Sequence, residues 1–101
     1  MTDPAAASSE LSQQYYREGF ELLKLEHFVE SLERFGKSAE LRNKTTPDMY
    51  RNQGWCLFRL AEQDAFVLEW KSAEEKFQQA KRLYERAIAG FLQMKHQDQS
   101  E

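Results

Sequence analysis

The sequence predicts an all-α fold built from two antiparallel helix pairs, about four helices in all, of which the last is long. Two observations predict it. Apolar side chains recur every three or four residues over most of the chain, which places them on one face of each helix. The stretch around Gly19 also returns around Gly54, 35 residues later, with the same apolar pattern. A repeat of this length indicates two copies of one helix-pair unit.

The composition indicates one small domain, residues 9–95, between disordered tails at 1–8 and 96–101. The chain of 101 residues has 14 Lys and Arg against 17 Asp and Glu, without long runs of either sign. We therefore expect no nucleic-acid partner. No apolar run approaches the roughly 20 residues of a spanning helix, so we expect no membrane insertion. Cys56 is the single cysteine and has no disulfide partner, which favours a reducing compartment, the cytoplasm.

The first two helices follow from capping residues and periodicity. Ser8 or Ser9 can cap the first helix, because a side-chain oxygen accepts from the free amides of the first turn. This helix should reach about Leu25. The second should run from about residue 28 to about residue 42, because its large and small residues recur at helical spacing. These residues are Phe28, Ser31, Phe35, Ser38 and Leu41.

The third helix has the clearest start in the sequence. Thr46 is a good cap, Pro47 follows where its missing amide hydrogen costs nothing, and Asp48 faces the positive end of the helix dipole. We expect this helix to end at about Ala61.

The fourth helix repeats the second at an offset of 42 residues instead of 35, a difference of one heptad. An inserted heptad, the stretch AEQDAFV, can lengthen a helix while its apolar face stays nearly in register. The sequence therefore predicts one long last helix from about Asp64 to Lys95. Its apolar seam alternates small and aromatic residues: Phe66, Trp70, Ala73, Phe77, Ala80, Tyr84, Ala87, Phe91 and Met94.

At these residues the chain resembles the tetratricopeptide repeat family. The family's unit has an aromatic residue, a glycine and a large apolar residue on its first helix, then Ala, an aromatic and Ala on its second. The first unit here has Tyr15, Gly19, Leu22, Phe28, Ser31, Phe35 and Ser38. The second has Tyr50, Gly54, Leu57, Trp70, Ala73, Phe77 and Ala80. The resemblance covers roughly residues 12–83 and departs from the family at both serines and at the missing closing proline.

The resemblance implies a concave groove that binds a protein or peptide segment. A second stripe on each first helix would line it, and an amphipathic partner helix would suit its aromatic walls. The implied groove residues are Tyr16, Phe20, Leu23, Arg51, Asn52, Trp55 and Phe58. The alternative is that the long last helix covers this stripe as core. Tyr16 and Phe20 stand where relatives that hold chaperone carboxylates have Lys and Asn, so we do not expect binding of an acidic C-terminus.

The resulting functional expectation is a non-enzymatic interaction module, an adaptor or small chaperone, without cofactor or metal. Glu18, Glu21, His27 and Cys56 are the residues from which catalysis might be assembled, but their spacing indicates no shared pocket. The alternative is a structural subunit that homodimerises through its long last helix, with Phe66, Trp70 and Phe91 as the seam.

Overall fold

The computed structural model describes residues 3–42 and 44–99, and every regular element in them is an α-helix. The helices are α1, Pro4–Lys24; α2, Phe28–Glu40; α3, Pro47–Phe66; and α4, Trp70–Gln99. The all-α prediction with helix pairs is confirmed. The chain forms two compact units, Met1–Thr45 with α1 and α2, and Thr46–Glu101 with α3 and α4. The single domain of residues 9–95 stays a prediction.

Helix α1 begins earlier than the sequence analysis predicted. Asp3 is its N-cap and accepts from the amide of Ala5, and Pro4 is its first residue. Ser8 and Ser9 lie inside the helix, so the capping prediction is wrong. At α3 the predicted start is confirmed, because the Thr46 side chain accepts from the amide of Met49 at 3.3 Å.

Buried serines join α1 to α2. Ser12 Oγ donates to the carbonyl of Ser38 at 2.9 Å, and Ser38 Oγ donates to the carbonyl of Ser12 at 2.8 Å. Two turns away, Ser31 Oγ donates to the carbonyl of Gly19 at 2.6 Å. Residues early in α1 therefore meet residues late in α2, and the two helices are antiparallel. Small side chains at these positions let the backbones approach, and each hydroxyl donates to a backbone carbonyl of the facing helix.

Alanines take the place of those serines between α3 and α4. Ala73, Ala80 and Ala87 lie one heptad apart on α4 and are all buried. Large core residues come mainly from α3, where Met49, Cys56 and Leu57 are buried beside Ala61. The close approach is tightest at Gly90, where a Cβ would lie 2.5 Å from Cγ of Pro47. Because Pro47 begins α3 and Gly90 is late in α4, this pair is also antiparallel.

The last helix is long, as predicted, but its predicted start at about Asp64 is wrong. The stretch AEQDAFV extends α3 to Phe66, a turn follows, and α4 begins at Trp70. Leu68 carries the turn with a φ of 65°, in the left-handed region. Its amide donates to the carbonyl of Ala65, and the amide of Glu69 donates to the carbonyl of Asp64. This is the Schellman pattern that closes a helix, with leucine where glycine is usual.

The first unit closes α1 in the same way. Glu26 has a φ of 61°, its amide donates to the carbonyl of Leu23, and the amide of His27 donates to the carbonyl of Leu22. The two turns are therefore equivalent at an offset of 42 residues. The packing of α2 and α4 has a different offset, because the ring that meets the glycine is Phe35 in the first unit and Tyr84 in the second.

The second pair is longer than the first by one heptad in each helix. Gly19 lies against the ring of Phe35, whereas the nearest side chain to Gly54 is Tyr84, although the repeat aligns Phe35 with Phe77. Helix α1 ends five residues after Gly19, and α3 ends twelve residues after Gly54. Likewise Phe35 comes seven residues after the start of α2, and Tyr84 fourteen after the start of α4. The extra heptads, each about 10 Å of helix, lie at the turn end of the second pair.

Two predicted boundaries fall partly outside the described residues. The predicted tails include Met1, Thr2, Ser100 and Glu101, and the predicted end of the second helix includes Asn43; all five lie outside. In the described part, residues 4–8 belong to α1 and residues 96–99 to α4. Among the described helices, none is long and apolar enough to cross a lipid bilayer.

Candidate functional site

A stacked aromatic pair lies on the outer side of α3. The rings of Trp55 and Phe58 have centroids 6.0 Å apart and planes inclined by 19°. Phe58 also meets the ring of Phe77 on α4, edge to face, at 5.5 Å. Yet 39% of Trp55 and 36% of Phe58 stay exposed, so these rings are packed on one side and open on the other.

Arginines flank this pair along the same face of α3. The guanidinium of Arg59 lies 5.5 Å from the Trp55 ring centroid and pairs with Glu62 at 3.2 Å. Arg51, one turn before Trp55, pairs with Asp48 at 3.1 Å. Spacings of three and four residues bring these side chains to one face. We call Arg51, Trp55, Phe58 and Arg59 the α3 aromatic surface.

Helix α3 packs against α4 through Phe58 of this surface and through residues outside it. Gly54 meets Tyr84 with a Cβ distance of 3.3 Å, and Cys56 and Leu57 are buried. Burial raises the pKa of the Tyr84 phenol, and the nearby Cys56 thiol adds to this effect. Trp55 is thus not needed to fill the α3–α4 interface. Its aromatic ring is available for another contact.

The predicted groove residues of α1 are less open. Tyr16 is half-buried, with its ring 5.5 Å from that of Phe35 and 5.8 Å from the guanidinium of Arg42. Leu23 is also half-buried. Phe20 is the exposed member, with the ammonium of Lys24 5.1 Å from its ring. A groove lined by the stripes of both helices stays a prediction.

One predicted groove residue is on the inside of the protein. Asn52 is buried, so its amide does not line an open surface as predicted. Arg59, by contrast, belongs to the α3 aromatic surface and was missed. Its position four residues after Trp55 was the available signal, because that spacing places the two side chains together on a helix.

The three residues of the predicted dimer seam do not lie on one helix. Phe66 is the last residue of α3, Trp70 is the first of α4, and Phe91 lies near the other end of α4. Between Trp70 and Phe91 the seam's small residues are buried within the chain. Phe91 itself has the guanidinium of Arg51 5.8 Å from its ring centroid.

The residues considered for catalysis occur in separate local settings. Glu18 pairs with Arg34 at 3.1 Å, and Glu21 pairs with Lys24 at the same distance. His27 precedes α2, and Cys56 is buried. In the part of the chain that the structure describes, no group of three or more His, Cys, Asp or Glu side chains is placed to hold a metal ion.

Comparisons of the chain with models of known protein families, with curated proteins and with solved structures gave no match. The tetratricopeptide resemblance therefore stays a prediction that depends on the residues named above.

Proposed function

We propose that the chain is a non-enzymatic protein-interaction module, an adaptor or small chaperone, whose α3 aromatic surface holds the apolar face of a partner helix. One observation carries the proposal: Trp55 and Phe58 are stacked and half-exposed, although Phe58 already packs on Phe77 of α4. In the tetratricopeptide reading, this surface is one wall of the peptide groove. The compartment we propose is the cytoplasm, a reducing environment that suits a chain whose single cysteine is Cys56.

The chemistry of the surface favours an amphipathic helix with acidic residues beside its apolar stripe. Aromatic rings in adjoining positions give a continuous apolar contact that a partner's leucines can cover, and tryptophan and arginine are common centres of binding energy. Arg51 and Arg59 flank the rings and can turn from their present partners to a partner's carboxylates.

The surface is also preorganised for such a contact. Phe58 is held between Trp55 and Phe77, and Arg59 covers part of the Trp55 ring. Side chains that are already restrained lose less conformational entropy when a partner binds. Binding should therefore need little rearrangement of α3.

The test is selection of amphipathic helical peptides from a displayed library on the immobilised wild-type chain. We expect the selected peptides to lose roughly tenfold or more in affinity with Trp55→Ala and with Phe58→Ala. Val29→Ala is the matched control, because Val29 is an exposed apolar residue of α2 outside the surface. Circular dichroism checks that each variant keeps its helices. Equal affinity for wild type and Trp55→Ala would refute the proposal.

A second candidate, homodimerisation through α4, is favoured by the exposed end of that helix. Helix α4 continues nine residues past Gly90, where Pro47 already marks the beginning of α3. Leu92 and Met94 are exposed there, as is Ile88 just before Gly90. This candidate predicts a dimer in sedimentation analysis that Leu92→Glu converts to a monomer. A wild-type chain that stays monomeric at high concentration would remove this candidate.

A further inference from the structure

The turn between α3 and α4 carries a cluster of exposed apolar side chains. Phe66 is 89% exposed, Leu68 69%, Trp70 64% and Val67 63%. We call these four residues the hairpin tip. The α3 aromatic surface lies further back on α3 and adjoins the tip at Arg59, which borders a surface depression together with Phe66 and Val67. The two apolar clusters are separate, and the inference does not depend on the proposed function.

Folding of the helix pair does not require an apolar tip. In the first unit, the first residue of α2 is Phe28, which is buried to 3% exposure. Its counterpart after the equivalent turn is Trp70, which has no such burial. The extra heptad in each helix moves the turn away from the packed aromatic core, so the apolar residues here stabilise no interior.

The tip is presented by a firmly connected hairpin. Asp64 Oδ2 on α3 accepts from Ser72 Oγ at 2.7 Å and from Lys76 Nζ at 2.6 Å on α4. Lys76 Nζ also donates to Ser72 Oγ at 2.7 Å. Buried Ala61 and Ala73 lie on the same two helix segments. The four apolar side chains are thus held outward on a preorganised support.

The charges around the tip are mainly acidic. Residues 59–76 contain five carboxylates and three cations. Two of those cations are engaged in the ion pairs Arg59–Glu62 and Lys76–Asp64. The remaining charged side chains are Glu69, Glu74, Glu75 and Lys71, and Glu69 lies within the turn itself. The hairpin tip is therefore an apolar cluster with mainly acidic side chains around it. We call Glu69, Glu74 and Glu75 the acidic collar.

We infer that the hairpin tip docks into an apolar pocket of a protein partner whose rim carries lysine or arginine. An apolar patch of this kind on an otherwise charged surface marks an interaction site. The acidic collar selects among the possible occupants, because opposite potentials meet at an interface. An anionic membrane would repel the collar. Two tips of the same chain would bring two acidic collars together.

The first arm of the test excludes lipid and self-association. In a Trp55→Phe variant, Trp70 is the only tryptophan and reports on the tip. We expect its emission to stay unchanged with phosphatidylcholine vesicles, with or without phosphatidylserine, and over a protein concentration series. A blue shift with either vesicle, or one that grows with protein concentration and is lost in Phe66→Ser, would overturn the inference.

The second arm identifies the occupant with a photo-cross-linking residue. The full-length chain carries benzoylphenylalanine at position 67 and, in a control chain, at position 29, where Val29 is equally exposed. We expect position 67 alone to cross-link one protein of the source cells, at a peptide lining an apolar pocket with lysine or arginine at its rim. Cross-links to the chain itself, or to a partner surface without such a rim, would contradict the inference, as would equal labelling from position 29.

Substitutions then test both parts of the recognition on the purified partner. We expect Phe66→Ser to weaken binding roughly tenfold and Glu69→Lys roughly threefold or more, with the Glu69 effect falling as salt rises. Trp55→Ala is the control that separates this inference from the proposed function, because Trp55 lies outside the tip. If Phe66→Ser binds like wild type, the tip is not the contact.

Discussion

Gly54 lies against the ring of Tyr84, with 3.3 Å between a Cβ placed on the glycine and Cε1, although the repeat in the sequence aligns Phe77 with Phe35, the ring that Gly19 meets. The pairing is shifted by one heptad because the turn between α3 and α4 comes later than the apolar pattern suggests. The shift explains the exposed hairpin tip, since it carries the turn beyond the aromatic core.

The contact of the equivalent glycine in the first unit is tighter and predicts a loss of stability on adding a methyl group. A Cβ at Gly19 would lie 2.8 Å from Cδ1 of Phe35, which is fully buried and cannot move aside. We expect Gly19→Ala to lower the free energy of unfolding by about 1 kcal/mol, because overpacking exceeds the gain in helix propensity. Urea unfolding measures it.

Gly36→Ala is the matched control in the same unit. No atom beyond its own helix lies within 4 Å of a Cβ at Gly36, so only helix propensity changes. We expect the free energy of unfolding to rise by about 0.5–1 kcal/mol. Equal effects of the two substitutions would mean that Gly19 is not in close contact with Phe35.

The left-handed conformation of Leu68 predicts a stabilising substitution. Its φ of 65° is strained for any residue with a Cβ, and its side chain is largely exposed. We expect Leu68→Gly to raise the melting temperature relative to Leu68→Ala, with a difference of about 1 kcal/mol in the free energy of unfolding. Comparison with Leu68→Ala removes the effect of the lost side chain. If Leu68→Gly is less stable than Leu68→Ala, the left-handed conformation of residue 68 is contradicted.

The reciprocal serine bonds predict energetic coupling between α1 and α2. Ser12→Ala and Ser38→Ala each remove hydroxyl bonds across the pair and should each cost about 1 kcal/mol. The double variant should cost less than the sum by about 0.5–1 kcal/mol, because both singles lose the shared hydroxyl contact. Ser31→Ala, which removes a bond to Gly19, should add to Ser38→Ala without coupling. A double-mutant cycle by urea unfolding measures these terms.

The Asp64 cluster predicts a dependence on acidic pH. Hydrogen bonds from Lys76 and Ser72 hold the pKa of Asp64 below its ordinary value of 3.8. A depressed folded-state pKa stabilises the fold above the unfolded-state pKa, and this contribution is lost as pH falls through the folded-state pKa. We expect wild type to be more stable than Asp64→Asn at neutral pH, and we expect the difference to shrink as pH falls below 3.8 and to disappear below the lower folded-state pKa of Asp64. A pH-independent difference would contradict the ionic contribution.

Local chemistry made several elements predictable from the sequence. Thr46 with Pro47 marks a helix start by capping and by the fixed φ of proline, and the structure confirms it. The same combination of a capping residue and proline is present at Asp3 and Pro4, where α1 begins. The sequence analysis places the cap at the serines further on, and the predicted start is therefore wrong. The buried face of α2 follows from its period, since Phe28, Ser31, Phe35 and Ser38 are all buried. Leu41, the last residue of the predicted face, is the C-cap and is exposed.

The turn at Leu68 was not predictable in the same way. No glycine or proline marks it, and the step of four from Phe66 to Trp70 matches a continuous helix. The register of the second pair was ambiguous because Phe77 and Tyr84 lie one heptad apart and each lies between two alanines. Only tertiary packing chooses between them. The exposure of Trp55 likewise depends on how α4 packs, which the period of α3 does not specify.

The central claim is that Trp55 and Phe58 form the contact surface for a partner helix, and the emission of Trp55 tests it most directly. In a Trp70→Phe variant, Trp55 is the only tryptophan, and a peptide selected on the wild-type chain is titrated while the anisotropy of a dye on the peptide reports binding. We predict that the Trp55 emission moves to shorter wavelength and saturates with the anisotropy. Binding that leaves the Trp55 emission unchanged would contradict the claim.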